Sequence, residues 1–236
     1  MIAPTTATAE TMKHALAYTI AALNAASELD LDRSDDDRAF FAKERDTLIP
    51  FLKDVRAKDR LVEDDELDNA ARLQARVSLG DAVLDRGVID GKERMKIELK
   101  RSDPDAADQV FGKRVTDTTR APILAEPALV SAIIARLEHA PDFSTKATIR
   151  ADLEKRAKQQ TLCIQERTSG EVQTVALRSA LTQIIRLSSD SLYGLEKRLL
   201  ERFKRDAEYV RKFFYDISSP RRTKEESTPT PETPAS

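Results

Sequence analysis

Helix-breaking residues are rare in this chain and leave long uninterrupted stretches. Between Pro4 and Gly80 the only breaker is Pro50, and a second long stretch, between Pro141 and Pro220, contains only two glycines. Both stretches are rich in Ala, Leu, Glu, Lys and Arg, which lose little side-chain freedom in a helix. The sequence therefore predicts an all-α fold, a bundle of about five to seven mostly antiparallel helices with an irregular middle insertion.

The first two helices are predicted from capping signals and apolar stripes. One helix is expected over residues 8–28. The next is expected to begin near Ser34, because Ser34 and Asp37 form a capping-box pair, and Pro50 should kink it. The stripes expected on these two helices are Met12, Leu16, Ile20 and Leu23, then Phe41, Leu48, Leu52 and Val55.

The middle of the chain is less regular in pattern. A third helix is predicted from residue 64 or 65 to Gly80 or Gly87, with Leu67, Ala71, Gln74 and Val77 on its apolar face. Residues 92–100 fit either a short helix or a β-hairpin that follows an Asp-Gly turn. Residues 101–122 are expected to be irregular.

The C-terminal part predicts three further helices. Pro127 is expected in the first turn of one that Pro141 ends. Another is expected over 144–168, with Gly170 as its C-terminal cap. The last spans 171–217, where apolar residues recur at steps of three and four.

Composition then predicts where the folded region ends. Residues 218–236 are rich in Pro, Thr, Glu and Ser, and we expect them to be a disordered tail. Residues 1–217 are expected to form a single helical domain, with a possible sub-division near 120–126.

The charge balance disfavours a general attraction to nucleic acid or to membranes. The formal net charge is −2, so no global field is expected. Acidic residues dominate 28–68 and basic residues dominate 195–222, so these segments are complementary and could pair within or between chains. With Cys163 as the one cysteine and with no signal-like or transmembrane segment, a cytoplasmic location is predicted.

Motifs for catalysis and for cofactors are missing from the sequence. The two histidines, His14 and His139, have no partner at metal-ligand spacing. There is no nucleophile elbow and no glycine-rich phosphate loop. Cys163 lies between apolar residues and is expected to be buried. The sequence therefore predicts no cofactor and no metal, and it favours a non-enzymatic interaction or scaffold protein.

One segment has the composition of a binding surface. Half of the twelve aromatic residues lie in 192–217, interleaved with basic residues. This pattern predicts contact with a protein partner or a second copy of the chain, with a peripheral membrane or nucleic acid as the alternative. Interspersed acids argue against nucleic acid. A second alternative is a helical enzyme that uses scattered carboxylates and arginines. The candidate partner-binding residues are Arg198, Arg202, Phe203, Arg205, Tyr209, Lys212 and Phe213.

Overall fold

The computed structural model describes residues 5–29, 34–204 and 206–215. Every regular element in those ranges is helical, which confirms the all-α prediction. The predicted tail of 218–236 lies outside them. The elements are α1 (Ala9–Glu28), α2 (Asp35–Asp64), a π-helical segment (Asp65–Ala70), α3 (Ala71–Leu99), α4 (Ala106–Phe111), α5 (Thr116–Thr119), α6 (Glu126–His139), α7 (Lys146–Arg202) and α8 (Ala207–Arg211).

The contacts of the chain fall into two compact units. Unit 1 comprises residues 1–59 and 180–236, and unit 2 comprises residues 60–179. Helices α2 and α7 each contribute residues to both units. The division does not coincide with the 120–126 position at which the sequence allowed a sub-division.

The core of unit 1 contains the apolar stripes that the sequence predicts. Burial of these side chains removes them from water and is the main favourable term for this unit. Ile20 and Leu52 are partly buried and pack against the same cluster. The fully covered members are Met12, Leu16, Leu23, Phe41, Leu48, Val55, Leu192, Leu195 and Leu199.

Local signals set the helix starts, as expected. The Ser34 hydroxyl accepts a hydrogen bond from the backbone N–H of Asp37 at 3.2 Å, which satisfies a donor that the first turn of α2 leaves unpaired. Three aspartates follow in that turn, where the helix dipole favours negative charge. Pro127 lies in the first turn of α6. These two starts needed no tertiary information.

The predicted break near residue 64 is instead a π-helical segment inside a continuous helical run. The wider turn changes the phase of the helix between α2 and α3. The predicted stripe is therefore wrong at Leu67, Ala71 and Gln74, which are exposed, whereas Val77 and the neighbouring Leu73 are buried. Residues 92–99 belong to α3, which decides between the helix and the hairpin in favour of the helix.

Three glycines that the sequence assigns to helix ends lie inside helices. Gly80 and Gly87 are within α3, and Gly170 is within α7. A Cβ at Gly170 would overlap the side chain of Leu73, and a Cβ at Gly87 would lie 2.7 Å from Arg156 Cδ. The glycines are needed because other side chains of unit 2 approach the helix backbone closely at these positions.

The long C-terminal helix ends earlier than the periodicity indicates. Helix α7 continues through Gly194 but ends at Arg202 instead of at residue 217. The Asp206 side chain accepts from the backbone N–H of Tyr209 at 2.9 Å and caps the separate helix α8. Three-and-four spacing continues across this break, so spacing alone does not reveal it.

The middle insertion is short and well packed. Its turns enclose α4, whose Ala106, Val110 and Phe111 are buried in the unit 2 core. The buried Lys92 ammonium donates to the carbonyl of Lys113 at 3.0 Å and pairs with Asp108 at 2.7 Å. These contacts anchor a segment that is mostly irregular, because Lys92 donates to a backbone carbonyl that has no helical hydrogen-bond partner.

Replacement of Gly80 by Ala should destabilise unit 2, although Ala is the better helix former. The new Cβ would overlap Oε1 of the fully buried Gln160, whose Nε2 donates to the Val77 carbonyl. We expect a loss of about 1–3 kcal/mol in urea unfolding followed by circular dichroism. Gly194→Ala is the control and should lose less than about 0.5 kcal/mol, since its Cβ would lie 3.2 Å from Arg198 Nη1, a nitrogen that does not bond to Glu44, and a small shift relieves that contact. Equal stability of both variants would contradict the packing role of Gly80.

Candidate interaction surface

Arg198, the first of the sequence-predicted binding residues, is used inside unit 1. Its guanidinium donates twice to the Glu44 carboxylate, from Nε at 2.9 Å and from Nη2 at 2.7 Å. Glu44 is buried. A two-bonded arginine–carboxylate pair of this kind fixes geometry as well as charge. Arg198 therefore joins the C-terminal part of α7 to α2.

Arg202 makes the same kind of connection one turn later. It pairs with the carboxylates of Asp36 and Asp37, with a distance of 2.6 Å to Asp37. Its guanidinium carbon also lies 4.7 Å from the centre of the Phe40 ring, within the range of a cation–π contact. The complementarity between the acidic and basic segments is therefore used within unit 1.

The predicted aromatic residues form a cluster around Phe41. The ring centres of Phe203 and Phe213 lie 5.6 and 5.4 Å from that of Phe41, in stacked arrangements. Tyr209 meets Phe203 and Phe213 edge to face, at 5.7 and 5.1 Å. Such pairs add to the stability that burial alone provides.

The two remaining predicted residues are Lys212 and Arg205. Lys212 is exposed, and Arg205 lies outside the described residues. Within the described part of the chain, most of the predicted binding stripe therefore holds unit 1 together. An exposed surface with apolar and charged side chains has to be sought elsewhere.

Such a surface lies in unit 2, along the seam between α3 and α7. Two adjoining hollows of about 450 and 430 Å³ meet at Arg76. We call them together the α3–α7 groove. Its walls carry the exposed apolar side chains Leu79, Val83 and Leu162. The remaining lining residues on which the argument depends are Arg72, Asp152, Lys155, Arg156, Cys163 and Glu166.

Positive charge exceeds negative charge along this groove. Arg76 pairs with Glu166 at 2.6 Å, and Arg156 pairs with Asp152 at 2.8 Å. Arg156 also donates to the Val83 carbonyl at 2.7 Å, lying across α3 where Gly87 leaves space.

Two further cations stand near opposite ends of the groove. Within the described ranges neither Arg72 nor Lys155 makes an ion pair. Arg72 donates only to the side-chain oxygen of Asn69, at 3.0 Å.

A cluster of three carboxyl groups lies elsewhere in unit 2. Glu126, in the first turn of α6, is 1% exposed, and neither of its carboxylate oxygens has a hydrogen-bond donor. Burial first, and then the neighbouring carboxyl groups of Asp81 and Asp85, raise the pKa of Glu126 from its ordinary 4.5 to about 9. Glu126 is therefore neutral at pH 7.

The described residues offer little catalytic chemistry. They contain no group of three or more His, Cys, Asp or Glu side chains arranged to hold a metal ion. Cys163 is buried, as expected, and its sulfur is 3.8 Å from the Gln159 amide, which cannot act as a base. None of the three clustered carboxyls lines the α3–α7 groove.

Nothing in the sequence drew attention to the groove. Leu79 and Val83 look like ordinary members of an apolar helix pattern, and their exposure depends on which face of α3 meets α7. The glycines were the available signal, because a glycine inside a helical pattern can mark a close helix contact as well as a helix end.

Comparisons with known proteins provide no further assignment. No family model matches the chain, and no curated protein and no solved structure resembles it significantly. Among the described residues, no helix has the length and apolar character needed to cross a bilayer.

Arg198→Ala should destabilise unit 1 by about 1–2 kcal/mol, because the buried Glu44 carboxylate loses two donors. All four tyrosines lie in unit 1, and the chain has no Trp, so tyrosine fluorescence in a urea titration reports this unit. Lys212→Ala is the control and should stay within about 0.5 kcal/mol of the parent chain. An unchanged free energy of unfolding in Arg198→Ala would show that the Arg198–Glu44 pair does not stabilise unit 1.

Unit 2 should lose stability as the pH rises from about 5 to 9. Folded Glu126 keeps its proton up to a pKa of about 9, whereas the unfolded side chain loses it near 4.5. The folded state therefore binds more protons across this window, and raising the pH favours unfolding. Labelling of the buried Cys163 thiol at increasing urea measures the opening of unit 2.

Glu126→Gln should flatten this pH dependence and stabilise unit 2 by about 1–3 kcal/mol at pH 8. Glu138→Gln, on the same helix but exposed, is the control and should leave the slope unchanged. An unchanged slope in Glu126→Gln would assign the pH dependence to other groups.

Proposed function

We propose that this chain is a non-enzymatic helical interaction protein. Its binding surface is the α3–α7 groove of unit 2. The partner is a helix that presents apolar side chains flanked by acidic ones. The observation that carries this proposal is the exposed apolar wall of the groove together with its excess of positive charge.

The apolar wall supports a protein ligand. Leu79 is 68% exposed, and Val83 and Leu162 are also exposed on the same groove. Single exposed apolar residues are ordinary on protein surfaces, but a group of them along one concave seam is typical of an interaction site. A third helix packed on α3 and α7 would remove these three side chains from water, at roughly 25 cal/mol for each Å² buried.

The charges of the groove indicate which helix fits. Arg72 and Lys155 have no carboxylate partner within the described residues, and each lines a different one of the two hollows. The α3 residues that line the groove and carry the argument run from Arg72 to Val83, a span of eleven residues. At 1.5 Å per residue this is about 16 Å, or three helical turns. A carboxylate near either end of a three-turn segment would pair with the cation at that end and would steer the association.

The alternative binding modes have less support. Arg198 and Arg202, the basic residues that suggested a membrane or nucleic-acid surface, are paired with carboxylates in unit 1. Their charge is therefore not available to phosphate without the loss of those pairs. The enzyme alternative would need an accessible cleft around the shifted carboxyl group, but Glu126 is almost completely covered.

A designed peptide tests the proposal directly. We would titrate the full chain into a fluorescein-labelled helical peptide of about 18 residues with leucines on one face and glutamates beside them, and measure fluorescence anisotropy. We expect a Kd in the micromolar range at low salt, and binding at least tenfold weaker for the same peptide with lysine in place of glutamate.

Leu79→Asp should weaken binding of the glutamate peptide at least tenfold, because it places a charge in the apolar wall and repels the peptide carboxylates. Val172→Asp is the matched control: Val172 is equally exposed, at 68%, but lies outside the groove. Equal binding of the two peptides, or equal effects of the two substitutions, would contradict the proposed function.

A further inference from the structure

A self-complementary stripe runs along one edge of the α3–α7 groove. It begins in α2, crosses the π-helical segment and continues in α3, and all of its members belong to unit 2. They follow one another at steps of three, four, four, four and three residues. The stripe consists of Leu61, Asp64, Asp68, Arg72, Arg76 and Leu79.

These six side chains share one face of the helical run. A residue advances by about 100° in an α-helix and by less in the wider π-helical turns, and over this sequence the six positions stay within an arc of roughly 110°. All but Arg76 are exposed, and Arg76 is half-exposed. Arg72, Arg76 and Leu79 also line the groove. The face is therefore open to a partner.

The stripe is symmetric in polarity about residue 70, and its charges have opposite signs on the two sides of that residue. It is apolar, acidic, acidic, basic, basic and apolar, with equal spacing on both sides of the centre. When a second copy lies antiparallel with its residue 70 at the same point, Asp68 faces Arg72, Asp64 faces Arg76, and Leu61 faces Leu79. Each contact occurs twice, as a two-fold axis requires.

We propose that the helix bound in the α3–α7 groove is the acidic part of this stripe in a second copy of the chain, so that two chains pair antiparallel through unit 2. This inference rests on the proposed function and names the partner. A parallel pairing in register would place aspartates on aspartates and arginines on arginines, so the charges select the antiparallel arrangement.

The central charges are available for such a pairing. Asp68 and Arg72 are four residues apart and could pair on their own helix, yet within the described residues neither makes an ion pair. Asp64 makes only a 3.6 Å contact with the exposed Arg60. Arg76 keeps its pair with Glu166 and would also donate to the aspartate of the second copy. Exposed ion pairs add little free energy, so Leu61, Leu79 and the groove wall supply the affinity and the charges set the register.

The test is the oligomeric state of the full chain and of two single charge reversals, measured by sedimentation equilibrium from 1 to 200 µM. The parent chain should dimerise. Asp68→Arg makes the centre of the stripe basic, and Arg72→Asp makes it acidic, so each variant alone should be monomeric, with dimerisation at least tenfold weaker. Circular dichroism spectra identical to that of the parent chain establish that both variants fold.

An equimolar mixture of the two variants should restore the dimer. In the mixed pair, arginine at position 68 faces aspartate at position 72, and the native Arg72 faces the native Asp68. Arg86→Glu, a charge reversal on α3 outside the groove, should leave the parent dimer intact. Recovery on mixing cannot come from misfolding, because misfolded variants would not regain partners selectively.

Three outcomes would overturn the inference: a parent chain that is monomeric at 200 µM, dimers that persist in both single variants, or variants that stay monomeric when mixed. The first of these leaves the proposed function intact if the glutamate peptide still binds the groove. Loss of peptide binding together with a monomeric parent chain would remove both proposals.

Discussion

The close approach of α3 and α7 is the constraint on which the structure of unit 2 depends. Gly80, Gly87 and Gly170 leave space into which Gln160, Arg156 and Leu73 fit. A Cβ at any of these glycines would push the side chain opposite it away, and cores tolerate such overpacking poorly. Two closely packed helices leave the residues that flank their seam uncovered, and among the described residues Leu79 and Val83 remain exposed there.

Unit 1 is held together by aromatic contacts and ion pairs instead of by close contacts at glycines. Phe41 is covered by Phe203 and Phe213 from the segment that follows α7, and Arg198 and Arg202 connect the end of α7 to α2. The most conspicuous basic and aromatic sequence of the chain is thus used for internal stability. The interaction surface that we propose instead lies in unit 2, on helices whose composition is unremarkable.

The features that the sequence predicts correctly are those set by residues close to one another in the chain. The Ser34 cap, the first-turn Pro127 and the stripe of α1 follow from contacts within one or two turns, and all three are present. The role of a glycine cannot be inferred in this way, because a helix end and a close contact with a distant helix have the same local sequence. The π-helical segment also escapes periodicity, since it shifts the phase only after residue 65.

The predicted binding residues also rest on a local pattern, which does not identify their partners. Basic and aromatic residues alternate in the same manner whether their partners are Glu44 and Phe41 of the same chain or groups on another molecule. Only the fold distinguishes these cases. The α3–α7 groove is the opposite case, because its apolar residues match a core pattern in the sequence and the position of α7 leaves them exposed. Exposure depends on the tertiary arrangement and cannot be predicted from composition.

Hydroxyl-radical footprinting of the full chain at 1 and 200 µM would test most directly whether the α3–α7 groove is the interaction surface. Leu79 and Leu162 should become protected from oxidation as the concentration rises, while Val172, which is as exposed as Leu79, should keep its reactivity. Protection confined to Tyr193 and its neighbours in unit 1, with Leu79 unchanged, would place the interaction on the C-terminal helix and contradict this account.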